Sequence, residues 1–240
     1  DEIGFTRSGG MAEYVAVPAR LVHVLPDDAV LEEAALLEPT ASVAHGFLRA
    51  HPRPGSVVVV VGTGTSGVLA LQLARLYSPS ALVVVGLRAD RLEFARQFGA
   101  THTINLGRED AEERMRAISA GRGADLVFEG DGHTQAMIEA LHLARRGGSI
   151  IVQGLAGAGA LLNVESELFA LNQLTVHGIF GASSAAWTYS VQLLRSGLLN
   201  LAPLIAQRFT LDEYQDALDI LEQRQAQTSP GTRILFIHAQ

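Results

Sequence analysis

A doubly wound α/β fold, with a parallel sheet and helices on both faces, is predicted by three observations along the 240 residues. Short β-branched runs alternate with stretches of helical spacing, as in repeated βαβ units. The strongest run, Ser56 to Val61 (SVVVVV), is apolar without alternation, as a strand buried on both faces must be. It passes directly into the glycine turn Gly62 to Gly67 (GTGTSG), which precedes a helical pattern.

The elements follow in order. Residues 1–30 contain one strand-like stretch, AEYVAV (12–17), then Pro18 and Pro26, and read as the end of a separate, β-rich unit. After SVVVVV, Val68 to Leu76 carries helical spacing, Ala81 to Val85 is a second strand, and Asp90 to Phe98 is an amphipathic helix that stops at Gly99. A short strand around His102 to Ile104, a charged helix from about Glu109 to Ala120 and strand Ala124 to Phe128 come next. Helix Thr134 to Ala144 ends at Arg145-Arg146-Gly147-Gly148, and strand Ser149 to Val152 follows. Beyond Pro203, RFTLDEYQDALDIL reads as a capped helix and RILFIHA (233–239) as a closing strand.

Composition narrows the function classes. A net charge of -7 argues against nucleic acid as a partner, and no long uninterrupted apolar run predicts a membrane span. The N-terminus lacks the plan of a secretory signal, so a cytoplasmic protein is expected. The chain has no cysteine, which removes disulfides and thiolate chemistry. All 18 basic residues are arginine, which removes a P-loop lysine and Schiff-base chemistry.

Gly62, Gly64 and Gly67 form G-x-G-x-x-G between a strand and a helix. The first glycine permits the tight turn, the second lets the backbone approach a pyrophosphate, and the third lets helix and strand pack closely. The following helix N-terminus offers unpaired N–H groups and partial positive charge to phosphates. A dinucleotide is the ligand that this arrangement suits.

The chain also resembles a known family. "GGMAEYVAVPARLVHVLPDD", "EEAALLEPTASVAHGF", the glycine loop, "RLEFARQFGATHTI", "ADLVFEGDG", "RRGGSIIVQGL" and "LTVHGIFG" follow in the order typical of medium-chain dehydrogenase/reductases. The likeness is greatest to the zinc-dependent polyol, threonine and secondary-alcohol dehydrogenases. It implies a Rossmann domain inserted in a GroES-like catalytic domain. Residues 1–42 would end the first catalytic segment, 43–179 form the Rossmann domain, and 180–240 return to the catalytic domain. The family's Cys and His-Glu zinc ligands lie in a further N-terminal stretch with no counterpart here, so a truncated or partial polypeptide is expected. Relatives form homodimers and homotetramers.

The resemblance assigns roles residue by residue. Glu38, in LLEPTASVAH, matches a glutamate in or beside the zinc coordination sphere; its bland alternative is a helix-start glutamate before Pro39. His45 reads as a packed or capping histidine, and His23, His102, His133, His142 and His177 show no metal-ligand spacing. Gly86 falls where NAD-preferring relatives carry an acid that holds the ribose hydroxyls. Glycine there removes the repulsion of a 2'-phosphate, which Arg88 could bind with charge assistance, with Arg91 nearby. The competing reading leaves Arg88 in solvent while Asp90 or the backbone reaches the ribose of NAD. NADP is favoured over NAD. Thr65 and Ser66 would approach the pyrophosphate and nicotinamide, and Gly130 and Asp131 would pass the ribose. Gln153, Gly154 and Leu155, with Ile179 and Phe180, would flank the carboxamide, and Arg233 would reach the pyrophosphate. Trp187 and Tyr189 read as helix packing ahead of a substrate contact.

The activity implied is zinc-assisted hydride transfer between a small-molecule alcohol and its carbonyl. A zinc-free enoyl or quinone reductase using NADPH is one alternative. A non-catalytic nucleotide-binding protein is the other.

Overall fold

Apolar runs set where the strands lie, and the helices between them set their order. The computed structural model describes residues 3–226 and 233–237, so the last two residues of RILFIHA lie outside the described residues. Two compact units result: residues 1–36 together with 201–240, and residues 37–200. The first unit contains the short helix α1 (Leu31–Ala34).

The second unit opens with α2 (Leu37–Arg49). Then alternate β1 (Val57–Val61), α3 (Thr65–Arg75), β2 (Ala81–Gly86), α4 (Ala89–Arg96), β3 (His102–Asn105) and α5 (Ala111–Ile118). They are followed by β4 (Ala124–Glu129), α6 (Thr134–Leu143), β5 (Ala144–Val152), α7 (Glu167–Leu171), β6 (Thr175–Gly178) and α8 (Ser184–Arg195). Strands β1 to β6 make one parallel sheet in the order β3-β2-β1-β4-β5-β6. This is the doubly wound order, and it reverses between β1 and β4.

The five valines of β1 are all buried, because the two faces of the sheet are covered alternately. Val57, Val59 and Val61 join Val83, Val85 and Ile104 in a cluster with Met115 of α5 and Ala140 and Leu141 of α6. Val58 and Val60 point the other way, toward the face where α3 packs on β1 and β2, and α2 packs on α3 and α8. Each fully buried valine contributes about 1.5–3 kcal/mol relative to an exposed one. That is the physical reason for an unbroken VVVVV.

In the unit made from the chain ends, β7 (Ile205–Thr210) leads through a 3₁₀ turn (Leu211–Glu213) into α9 (Tyr214–Ala226), and β8 (Arg233–Ile237) pairs in parallel with β7. The predicted cap is present: Thr210 and Glu213 form a reciprocal capping box. Arg208 on β7 donates to Glu32 on α1 at 3.0 Å, which ties the first segment to the last.

Three expectations differ from the structure. AEYVAV is not a strand; Tyr14 is 91% exposed, and the described residues give that stretch no ladder. β5 begins at Ala144 and runs through the expected helix end, because Arg145 is drawn to Asp125 of β4, 2.6 Å from Nε to the carboxylate. The compact unit also extends beyond the expected 43–179. α2 packs as a whole on α3 and α8, and Gln72 of α3 bonds both backbone groups of Asn200, at 2.6 and 3.2 Å.

Candidate cofactor-binding site

The glycine turn lies where β1 gives way to α3, beside the reversal of strand order. Gly62 has φ +110°, a conformation that side chains rarely adopt, and a Cβ on it would lie 3.1 Å from the Asp131 backbone nitrogen. The loops after β1 and β4 thus touch, which forms the crevice at the strand C-termini. A Cβ on Gly67 would lie 2.1 Å from the Gly62 carbonyl oxygen, so helix and strand could not approach as they do with any other residue. Gly64 has nothing within 4 Å of its would-be Cβ and caps α3 without a side-chain hydrogen bond. Open space and an uncapped helix N-terminus therefore coincide at the position expected for phosphate. Thr65 and Ser66 are the first two residues of α3, Thr65 buried and Ser66 partly so.

A cavity of about 670 Å³ extends from this turn. Gly62, Thr63, Gly86, Arg88, Arg91 and Asp131 all line it, so the predicted ribose-end residues share one space with the glycine loop. Arg88 pairs with Asp90 at 2.5 Å, while its buried Nε has no protein partner. Acids on and around α5 and α6 also line the cavity, and their carboxylates are engaged. Glu109 accepts from the Asn105 N–H at 2.8 Å, Asp110 caps α5 through the Glu113 N–H at 2.7 Å, and Glu139 accepts from Gln135 at 3.0 Å. The arginines that line the cavity, Arg88 and Arg91, stand beside Gly86.

The loops after β4 and β5 meet around Glu129, a residue that the motifs did not single out. It is 1% exposed, and its Oε1 accepts the N–H groups of Asp131 at 2.8 Å and Gly132 at 2.9 Å. Burial pushes its carboxyl above the ordinary carboxylate range, against the lowering effect of those two donors. Gly130 bonds back to Val61 at 3.0 Å. A Cβ on Gly154 would lie 2.4 Å from the Gly132 nitrogen and 2.6 Å from Glu129 Oε2, so this glycine is demanded by the buried acid and its loop. Leu155 and Phe180 are exposed, at 70% and 64%, while Ile179 is buried. The sequence signal for Glu129 was an acid directly after the apolar run Leu126 to Phe128 at the end of ADLVFE.

Gln153 donates to Ser42 on α2 at 2.7 Å, and its buried Oε1 has no protein partner. His45 Nδ1 lies 3.2 Å from the Gly181 carbonyl oxygen, a contact that suits a packed histidine. Glu38 is exposed in the first turn of α2. Among the described residues no group of three or more His, Cys, Asp or Glu is placed to hold a metal ion. Zinc therefore does not find a complete ligand set in these residues, whereas the glycine turn, the open α3 terminus and the orphaned Arg88 Nε fit a dinucleotide. Trp187 and Tyr189 lie on α8, both half-buried, and Tyr189 hydrogen-bonds Tyr77. Arg233 begins β8, exposed, in the other unit. No helix among the described residues is long and apolar enough to cross a membrane.

Comparison with known proteins agrees with this geometry. Residues 65–196, more than half of the chain, match the family described as zinc-binding dehydrogenase. A sorbitol dehydrogenase of Bacillus subtilis (strain 168) is 32% identical over 212 residues, which is 88% of this chain and 59% of that protein. An L-threonine 3-dehydrogenase of the same organism is 31% identical over 224 residues, 93% of this chain and 64% of that one. A protein of Sinorhizobium meliloti 1021, described as a zinc-binding dehydrogenase and bound to NADP, has a similar structure. Its TM-score is 0.86 at 26% identity, covering 98% of this chain and 68% of that one. The chain spans about three fifths of the length of these curated relatives. The six-stranded order, the glycine turn and the family match agree, and the chain belongs to the zinc-binding dehydrogenases of the medium-chain dehydrogenase/reductase superfamily.

Proposed function

We propose that this chain serves an NADP-dependent oxidoreductase that interconverts a secondary alcohol or polyol and its carbonyl product. The observation that carries the cofactor preference is the shared cavity: Gly86, Arg88 and Arg91 line the same space as the glycine loop. A bound nicotinamide supplies hydride transfer. The chain's own residues bind and orient it. The α3 N-terminus and the open face of Gly64 take the pyrophosphate, Thr65 and Ser66 stand beside it, and Gly130 with Asp131 borders the ribose. Gly154, Leu155 and Phe180 flank the nicotinamide end. At the ribose corner, Gly86 presents no carboxylate to repel a 2'-phosphate, and the free Nε of Arg88 is available to it.

The substrate class rests on relatives named for sorbitol and for carbon 3 of threonine, both of which bear secondary hydroxyls. Glu38 would join a zinc centre only with ligands from outside the described residues. One observation favours a second cofactor reading. Arg88 already pairs with Asp90, so Asp90 could hold the ribose of NAD while Arg88 balances its charge.

Fluorescence titration with NADPH and NADH separates the two. NADPH is expected to bind more tightly, and Arg88→Ala to reduce that preference by about ten- to hundredfold, the worth of a charge-assisted contact. Equal affinities in the unaltered chain, or an unaffected preference in the variant, would return Arg88 to the solvent.

A further inference from the structure

The corner that holds Gly86 is closed on one side by Thr63. A Cβ on Gly86 would lie 2.8 Å from Thr63 Cγ2 and 3.6 Å from Thr63 Oγ1. The first distance is well inside the normal separation of carbon atoms, about 3.5–4.0 Å. Neither backbone is free to retreat. The Gly62 N–H donates to the Val85 carbonyl at 2.9 Å, and the Leu106 N–H donates to the Gly86 carbonyl at 3.0 Å. Thr63 is 8% exposed and β-branched, so rotation about its Cα–Cβ bond mostly exchanges one heavy atom for another.

On this ground, and resting on the NADP reading above, we propose that Thr63 is a specificity-determining residue that acts through position 86. Its side chain excludes the carboxylate by which a ribose would be held, so the corner is left to Arg88. Discrimination then comes from exclusion as well as attraction. An acid introduced at 86 alone is pushed out of place; it serves a ribose only when residue 63 is also made small.

Gly86→Asp, Thr63→Ala and the double variant are titrated with NADH and NADPH beside the unaltered chain. Gly86→Asp is expected to lose NADPH binding by about tenfold or more without gaining NADH. The double variant is expected to bind NADH at least about fivefold more tightly than Gly86→Asp, the coupling of two residues in contact. NADH binding by Gly86→Asp that equals the double variant's overturns the proposal. A second arm needs no cofactor: thermal melts of Gly86→Ala, Thr63→Ala and their combination. Gly86→Ala is expected to lower the Tm by about 2–10 °C and Thr63→Ala to restore most of that loss. Additive or absent effects in the melts overturn the steric argument. If the unaltered chain binds NADH and NADPH alike, the NADP reading fails by itself, and the melts still decide whether Thr63 controls position 86.

Discussion

Asp90 competes with any anion for the Arg88 guanidinium. The two groups are 2.5 Å apart, and the hydrogen bond from Arg88 holds the Asp90 carboxyl below its usual range, so the acid stays charged. A 2'-phosphate at this corner must therefore share Arg88 with a fixed negative charge. Replacing Asp90 by Asn removes the repulsion and releases one guanidinium nitrogen. NADPH affinity is expected to rise about three- to tenfold, with NADH affinity steady within about twofold, because the exposed pair is well screened. Parallel titrations at two salt concentrations check this, and the gain should shrink at the higher one. A fall in NADH affinity instead would identify Asp90 as the ribose acid and support the NAD reading.

Two carboxylates on β4 carry opposite pH signatures, because the strand places one at each end of the sheet. At Asp125 burial pushes the pKa up, but Arg145 at 2.6 Å and the Val57 N–H at 2.8 Å outweigh it, and the net shift is downward from 3.8. Its stabilising contribution is present above 3.8 and lost as pH falls through the lower native value. Glu129 shifts upward from 4.5, chiefly through burial. Above 4.5 the unfolded chain has released that proton while the native chain still holds it, so stability declines as pH rises through the native value. Tm measured against pH is expected to show a shallower loss below 3.8 for Asp125→Asn. For Glu129→Gln, which keeps the Oε1 acceptor, the decline above 4.5 should vanish. Identical profiles for the unaltered chain and the Glu129→Gln variant would mean that the acid is solvated in the native state.

The same strand shows what could be read in advance. The run LVF of β4 and its helical neighbours have patterns that betray strand and helix, and Gly62, Gly64 and Gly67 sit at spacings that a phosphate turn requires. The start of β5 could not be read, because the pairing of Arg145 with Asp125 is a contact between residues 20 apart in sequence. Glu129 was hidden for a similar reason: its partners, Asp131, Gly132 and Gly154, come together only when two loops meet. Thr63 carries no signal of its own in the glycine motif, because its contact with position 86 exists only once β1 and β2 pair. AEYVAV failed in the opposite direction, since strand-like residues supply a propensity but no partner strand.

At the scale of the molecule, the division into units makes a statement about autonomy. All six strands of the larger sheet, the helices on both its faces, the glycine turn and the cavity beside it fall within residues 37–200. The core of that unit includes β1, β2 and β4 residues with almost no exposure, together with Phe47, Phe98 and Phe128. A segment of this size that carries its own buried core should fold alone. Its ends are also fastened internally, by the two Gln72–Asn200 hydrogen bonds and by the packing of α2 on α8. Residues 37–200 produced by themselves are therefore expected to melt cooperatively, with coincident transitions by far-UV and near-UV circular dichroism. Loss of the near-UV signal with retained helix would show that the chain ends are needed for side-chain packing.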